Sequence, residues 1–165
     1  MAITGEDREL GGPRVYISTK GRYGTKALFE LAQHQGAGPV ALREIAEKQG
    51  LSEHYLEQLV APLRKAGLVN SVRGAQGGYM LARDPGEITV GDILRVLEGP
   101  VSPTECALET FELPGKCCLN PETCPDRDVW IKVRKSIEEV VDNITLADLV
   151  EESRRHTDKQ LMYYI

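Results

Sequence analysis

The sequence contains no apolar stretch approaching the roughly 18–20 residues that are needed to cross a membrane. Its beginning has no hydrophobic segment either and carries the acids Glu6 and Asp7, which excludes a signal peptide. Internal repeats and low-complexity segments are also absent from the sequence. We therefore expect a soluble cytoplasmic protein whose 165 residues form one hydrophobic core, with room for an oligomerisation element.

An overall excess of positive charge, which is common in nucleic-acid-binding proteins, is also missing, since the net charge is −5. The charges are unevenly distributed along the chain, however. Residues 18–83 carry nine Lys and Arg against five Asp and Glu, whereas residues 84–165 carry nine against seventeen. DNA affinity needs a local basic face that displaces counterions. The composition is therefore compatible with DNA binding by the first half of the chain.

The stretch from residue 42 to residue 67 has the pattern of two short helices joined by a tight turn. Gly50 is suited to the end of the first helix and Ser52 to the start of the second. The second helix has apolar residues at helical spacing, namely Tyr55, Leu56, Leu59 and Leu63. Two helices joined in this way are typical of a helix-turn-helix, whose second member enters the DNA major groove.

A β-hairpin is predicted directly after this helix pair, because two short extended runs flank the glycine-rich segment 74–78. Ser18 or Thr19 begins an earlier helix that extends to about Gln33, and Thr89 begins a later one. The predicted fold is mostly α with a small β-hairpin wing. We assign residues 17–99 to a winged helix-turn-helix DNA-binding domain.

Two helices are predicted in the last third of the chain. The first has one broad apolar face, formed by Val129, Trp130, Val133, Ile137, Val140 and Val141. The second is a short helix that ends near Arg154. We assign residues 126–155 to dimerisation, because dimeric helix-turn-helix proteins read two half-sites; the alternative is that these helices fold back on their own domain. Residues 1–16 are expected to be a disordered extension and residues 156–165 a C-terminal tail.

All four cysteines lie within nineteen residues, at Cys106, Cys117, Cys118 and Cys124. They belong to a loop, residues 100–125, that shows no helical or strand periodicity. In a cytosolic protein such clustering indicates metal or redox chemistry rather than a disulfide framework. Thiol–disulfide enzymology at the adjacent cysteine pair is not favoured, because no candidate base lies nearby in the sequence.

Three blocks of sequence resemble the Rrf2 family of bacterial winged-helix regulators, and the similarity extends over nearly the whole chain from Ile17. The blocks are ISTKGRYG at residues 17–24, LSEHYLEQLV at residues 51–60, and the run from AGLV to RGAQGGY at residues 66–79. The body of the chain is most similar to the CymR type of cysteine-metabolism repressors, and the cysteine-bearing loop to the IscR type, which controls iron–sulfur assembly genes. The resemblance implies a homodimer that binds a partly palindromic operator in double-stranded DNA.

The resemblance also implies which residues contact DNA. By matching position, Ser52, Glu57 and Gln58 face base edges in the major groove, where Gln can pair with adenine and Glu can accept from cytosine N4. Arg73 and Gly74 belong to the wing tip, where a guanidinium is attracted into a narrow minor groove. The remaining expected contacts are made with the phosphate backbone of the DNA and position the protein on the duplex. Their residues are Thr19, Lys20, Tyr23, His54, Tyr55 and Arg64.

In the cysteine-bearing members of the family, three cysteines hold a 2Fe–2S cluster, and Cys106, Cys118 and Cys124 match them. The sequence departs from the IscR type in a longer gap between the first two cysteines and in having Arg127 where that type has a histidine ligand. The fourth ligand therefore stays open. Its candidates are Cys117, Glu122, Asp126, Asp128 and a group of the other subunit, and Cys117 is disfavoured because adjacent cysteines rarely both bind one metal centre. The alternatives to the cluster are zinc on the same three cysteines or no metal.

The last two residues, Tyr164 and Ile165, resemble the end of CymR-type repressors. Serine acetyltransferase ends in Ile and inserts its terminal carboxylate into the active site of cysteine synthase, so the resemblance implies cysteine synthase as a partner. Two hypotheses follow. The first is a dimeric transcriptional regulator whose operator binding responds to a 2Fe–2S cluster and which controls cluster-assembly or cysteine-metabolism genes. The second is a cluster-free repressor controlled by cysteine synthase, with structural or zinc-binding cysteines.

Overall fold

The computed structural model describes residues 17–74, 76–109 and 121–162, apart from the side chains of residues 121 and 160–162. The helices in these ranges are α1 (Thr19–Gln33), α2 (Leu42–Gln49), α3 (Glu53–Lys65), α4 (Val90–Glu98), α5 (Pro125–Asp142) and α6 (Leu146–Met162). The strands are β1 (Val69–Val72) and β2 (Gly78–Leu81). None of these helices is long and apolar enough to cross a membrane. The fold class predicted from the sequence is confirmed.

The helix starts and ends predicted from capping residues agree with the structure. The Ser18 hydroxyl accepts a hydrogen bond from the Lys20 backbone N–H at the start of α1 (3.1 Å), and the Ser52 hydroxyl accepts one from the Tyr55 N–H in α3 (3.2 Å). Gly50 follows α2 with a φ of +64°, a left-handed conformation that glycine adopts without steric cost. Together α2 and α3 form the predicted helix-turn-helix.

The hairpin is attached to the helical domain through a short third segment. Val69 of β1 lies opposite Leu81 of β2, and both side chains are buried. Val40, which precedes α2, exchanges two backbone hydrogen bonds with Tyr79 of β2, at 2.9 and 2.8 Å. The base of the hairpin therefore joins the core, while its tip projects as a wing.

Gly78 lies where this third segment approaches β2 most closely. A Cβ atom there would be 2.3 Å from the Val40 carbonyl oxygen and 2.5 Å from the carbonyl carbon, and backbone atoms cannot rotate away. Gly78→Ala is therefore expected to lower the free energy of unfolding by about 1–3 kcal/mol, measured by urea unfolding. Gln76→Ala, at an exposed position in the same turn, is the matched control. Equal stability of the two variants would contradict this packing.

The hydrophobic core lies between α1, α3 and α4 and is completed by α2, the base of the hairpin and α6. Its fully buried side chains include Leu28, Ile45, Leu56, Leu63, Leu68, Ile93 and Leu146. Each such side chain contributes about 1.5–3 kcal/mol relative to an exposed one. The core therefore holds α3 by its inner face and fixes the direction of its outer face.

The structure corrects the prediction for the end of the chain. The sequence predicted a short helix ending near Arg154 and a tail over 156–165, but α6 continues to Met162. No proline or glycine interrupts this stretch, so a helix that is already anchored by packing continues. Because Leu146 is fully buried and α6 packs against α1 of the same chain, this part of the region assigned to dimerisation folds back on the DNA-binding domain.

In contrast to α6, α5 leaves part of its apolar face uncovered. Val129 is 52% exposed and Val140 is 58% exposed. Between them Ile137 and its neighbours line a shallow apolar groove along the helix. The end of α5 is joined to α4 by an ion pair in which Arg95 donates to Asp142 at 2.6 Å, and this hydrogen bond raises the pKa of Arg95. The dimerisation prediction therefore now rests on α5.

Candidate DNA-binding surface and cysteine site

The two faces of α3 separate the core from the candidate recognition surface. The inner face is formed by the buried side chains of Leu56, Leu59, Val60 and Leu63. The predicted base-reading residues Ser52, Glu57 and Gln58 are all exposed on the outer side of this helix. They therefore lie on the face of the helix that the core does not use.

His54 belongs to the same exposed surface and contacts two of its neighbours. Gln58 Nε2 lies 3.1 Å from His54 Nε2, one helical turn away. His54 Nδ1 lies 3.9 Å from Glu57 Oε2. The spacing of four residues between His54 and Gln58 was visible in the sequence and would have indicated this contact, but sequence reasoning assigned His54 only to phosphate.

Two tyrosines join the recognition helix to α1. The rings of Tyr23 and Tyr55 are half-buried and meet edge to face, with centroids 6.3 Å apart. Lys26 Nζ lies 5.7 Å from the centre of the Tyr23 ring, within the range of a cation–π interaction. Tyr55 thus belongs partly to the core, as its place in the apolar stripe predicted, and Tyr23 lies at the boundary between core and surface.

The wing is connected to the end of the recognition helix. Arg64, in the last turn of α3, donates a hydrogen bond to the Ser71 hydroxyl of β1 at 3.3 Å. Arg73 is exposed beyond β1, and Gly74 has a φ of +124°, which only glycine adopts without strain. The Gly77 N–H donates to the Gly74 carbonyl at 3.0 Å and closes the turn. Arg73 therefore stands at the projecting end of the wing.

Glu98, a residue that sequence reasoning missed, holds the start of α1. Its Oε1 accepts hydrogen bonds from the backbone N–H groups of Ser18 (2.9 Å) and Gly21 (3.0 Å). These amides would otherwise be unpaired at the helix start. The exposed residues Thr19 and Lys20 lie between them, so Glu98 orients the segment that carries the predicted phosphate contacts. Glu98 lies 80 residues from Ser18, and no local pattern signals such a contact.

The cysteine-bearing segment meets α5 at the first turn of that helix. Cys106 lies in a single-turn 3₁₀-helix, Glu105–Ala107, is 2% exposed, and has its Sγ 3.3 Å from the Thr104 hydroxyl. Arg127 Nε donates to the Cys106 carbonyl oxygen at 2.8 Å. Cys124 is the half-buried residue immediately before α5. Two of the three predicted ligands thus lie at the same end of α5. Arg127 acts there as a hydrogen-bond donor between the helix and the cysteine-bearing segment.

The thiol groups of Cys106 and Cys124 fit a thiolate-held cluster or zinc, because both favour sulfur ligands. Within the described ranges, no three His, Cys, Asp or Glu side chains gather as a metal site. Cys117 and Cys118 lie outside the described residues. Of the candidate fourth ligands, Asp126 accepts a hydrogen bond from the Trp130 indole N–H at 3.1 Å. Tyr164 and Ile165 also lie outside the described residues.

A helix-turn-helix with an exposed outer face, followed by a hairpin with an arginine at its tip, defines a winged helix-turn-helix protein. The chain belongs to the Rrf2 family, whose model, described as "Iron-dependent Transcriptional regulator", matches residues 17–152. It is a transcription regulator and not an enzyme, in agreement with its relatives.

Relatives of both types are similar to this chain over most of its length. The HTH-type transcriptional regulator CymR of Bacillus subtilis is 48% identical over 147 residues, which cover 89% of this chain and 98% of that protein. The HTH-type transcriptional regulator IscR of Sodalis glossinidius is 43% identical over 135 residues, covering 81% and 78% respectively. The solved structure of T. potens IscR has a TM-score of 0.67 and 57% identity, covering 84% of this chain and 88% of that one.

Proposed function

We propose that the protein is a homodimeric repressor whose operator binding responds to a 2Fe–2S cluster held by Cys106, Cys118 and Cys124. It controls genes of iron–sulfur cluster assembly, cysteine metabolism or both. The observation that carries the proposal is the placement of Cys106 and Cys124 at the same end of α5, the first through its contact with Arg127 and the second as the residue before the helix. The family description and the 57% identity with T. potens IscR support it. A bound cluster would supply a redox-sensitive centre at this position.

The chain's own residues determine how such a site is held. The Arg127 hydrogen bond fixes the Cys106 backbone against α5, and the position of Cys124 directly before Pro125 fixes the second thiol relative to the same helix. Arg127 is not a plausible iron ligand, and its side chain is already engaged with a carbonyl group. A fourth ligand other than thiolate would raise the reduction potential and make the site more labile.

A continuous set of contacts joins this site to the DNA-binding surface. The far end of α5 is paired to α4 through Asp142 and Arg95. The last residue of α4, Glu98, holds the amides of Ser18 and Gly21 at the start of α1. A shift of α5 relative to α4 would therefore change the position of the end of α1 that is proposed to contact phosphate. This is the route by which occupancy of the cysteine site would change operator affinity.

Each exposed side chain of the DNA-binding surface has a matching role on a duplex. Gln58 can pair with adenine N6 and N7, and Glu57 can accept from cytosine N4. Arg73 would enter the minor groove, where A·T-rich sequence narrows the groove and increases the negative potential. Ser52 lies immediately before α3, at the N-terminal end of the recognition helix, where its side chain can reach a base edge. The contacts with the DNA sugar-phosphate backbone are assigned to Thr19, Lys20, Tyr23, Tyr55, Arg64 and Gly74.

A second copy of this chain is the proposed occupant of the apolar face of α5. Val140→Asp is expected to weaken dimer association by about 2 kcal/mol or more, because a carboxylate would be buried without a partner. Sedimentation equilibrium measures this change. Glu139→Gln, at the adjacent exposed position, is the matched control and is expected to leave the dimer intact. Unchanged association of the Val140 variant would remove α5 from the interface.

The 48% identity with CymR of Bacillus subtilis favours a second candidate function. In this alternative the chain is a cluster-free cysteine-metabolism repressor that cysteine synthase binds through Tyr164 and Ile165. The cysteines would then be structural or would hold zinc. The two functions share the DNA-binding surface and differ in the signal that reaches it.

Anaerobic purification distinguishes the two candidates at the level of the site. If the protein holds a 2Fe–2S cluster, we expect the purified protein to be coloured, to absorb visible light, and to contain iron and inorganic sulfide in equal amounts. A colourless protein after anaerobic reconstitution would contradict it. Stoichiometric zinc in the same sample would favour the cluster-free alternative.

A further inference from the structure

We propose that His54 determines operator specificity by acting through Gln58: it fixes which groups of the Gln58 amide face the bases. The proposal rests on the proposed reading of a base by Gln58. It differs from the phosphate contact that the sequence assigns to His54. His54 would then be a positioning residue whose effect appears as base selectivity.

The contact between the two side chains restricts their hydrogen-bonding states. In this arrangement Gln58 Nε2 donates to His54 Nε2 at 3.1 Å, because an amide nitrogen cannot accept, and a neutral imidazole then carries its proton on Nδ1. Glu57 Oε2 lies 3.9 Å from that Nδ1, too far for a hydrogen bond, so Glu57 faces the ring without fixing it. The His54 ring, as the acceptor, orients the Gln58 amide.

The oriented amide has the pattern that adenine requires. With one N–H engaged by His54, Gln58 presents one remaining N–H and its Oε1 to solvent. That donor and acceptor match adenine N7 and the N6 amino group, respectively. When the His54 ring is absent, the Gln58 amide is free to rotate. It must then be reoriented when the protein binds the operator. Adenine selectivity is then reduced by roughly the factor that one hydrogen bond supplies, about two- to tenfold.

His54 is also suitable for mutation, because its side chain is 81% exposed and its loss does not open the core. A duplex selected from a randomised library by the wild-type protein serves as the probe. The base pair read by Gln58 is identified as the one at which Gln58→Ala loses discrimination. Binding of this duplex, and of a duplex with G·C at that position, is then measured by fluorescence anisotropy.

The test is a double-mutant cycle of His54→Ala, Gln58→Ala and the double variant, with thermal unfolding as a check on the fold. We expect His54→Ala to reduce adenine selectivity about two- to tenfold at that single base pair, and to have no further effect in the Gln58→Ala background. His34→Ala, on the end of α1, is the control histidine and is expected to leave selectivity unchanged.

Two results would overturn the role of His54. An equal loss of affinity for all duplexes that persists in the Gln58→Ala background would make His54 a phosphate contact. Unchanged selectivity in His54→Ala would show that the contact has no part in recognition. If Gln58→Ala itself loses no discrimination at any position, the base-reading role of Gln58 fails, and that result is distinct from failure of the His54 effect.

Discussion

Arg73→Ala is expected to weaken operator binding by about 1–3 kcal/mol and to relax specificity at one position of each half-site. Arg73 is exposed at the end of β1, and the turn of Gly74 and Gly77 projects it away from the core. A guanidinium there gains most where the minor groove is narrow, because the negative potential is greatest in such a groove. Fluorescence anisotropy with the operator and with single-base variants in the wing region measures both effects.

Arg154→Ala is the matched control for this prediction. It removes the same positive charge from an exposed position on α6, and Arg154 is not among the residues expected to contact DNA. We expect its operator affinity and sequence preference to stay close to those of the wild type. If Arg73→Ala loses the same affinity on every duplex, Arg73 is a phosphate contact only, and the wing does not contribute to specificity.

Cys106→Ala is expected to abolish cluster binding, so that the visible absorption and the bound iron are both lost after anaerobic reconstitution. Cys106 is buried beside α5, and alanine at this position keeps a small apolar side chain in the packed 3₁₀-turn. The fold is therefore expected to be retained, which circular dichroism and thermal unfolding check. The loss is all-or-none because two thiolates provide too few ligands to hold the cluster.

Cys117→Ala is the control that the chain itself offers. Cys117 is adjacent to Cys118, and neighbouring cysteines rarely both bind one metal centre comfortably. The variant is expected to keep its absorption and iron. If it loses both while Cys106→Ala keeps them, the ligand assignment is wrong. Retention of iron and colour by both variants would mean that the cluster is held elsewhere.

The parts of the fold that depend on short-range signals could be predicted from the sequence. Ser18 and Ser52 cap their helices, and Gly50 adopts the left-handed conformation that its position required. The apolar spacing in α3 gave the correct buried face. The basic first half and the wing arginine also pointed to DNA despite a net charge of −5. For the helix caps, the Gly50 turn and the buried face of α3, the physical cause lies within a few residues of its effect.

The features that the sequence could not predict depend on contacts between distant residues. Glu98 holds the start of α1 across 80 residues, and Arg127 binds a backbone carbonyl that any residue could have supplied. The extension of α6 to Met162 depends on its packing against α1. Periodicity could not show this packing, because most of the added residues are polar and exposed.

Whether occupancy of the cysteine site changes operator binding is decided by a single comparison. Operator affinity is measured anaerobically for cluster-loaded and cluster-free protein at the same salt concentration, with Cys106→Ala alongside. We expect the affinities of the loaded and cluster-free protein to differ by about 5–150-fold, and Cys106→Ala should bind as the cluster-free protein does. Equal affinities of the loaded and cluster-free protein would contradict this expectation, and a response only when cysteine synthase is added would establish the alternative signal.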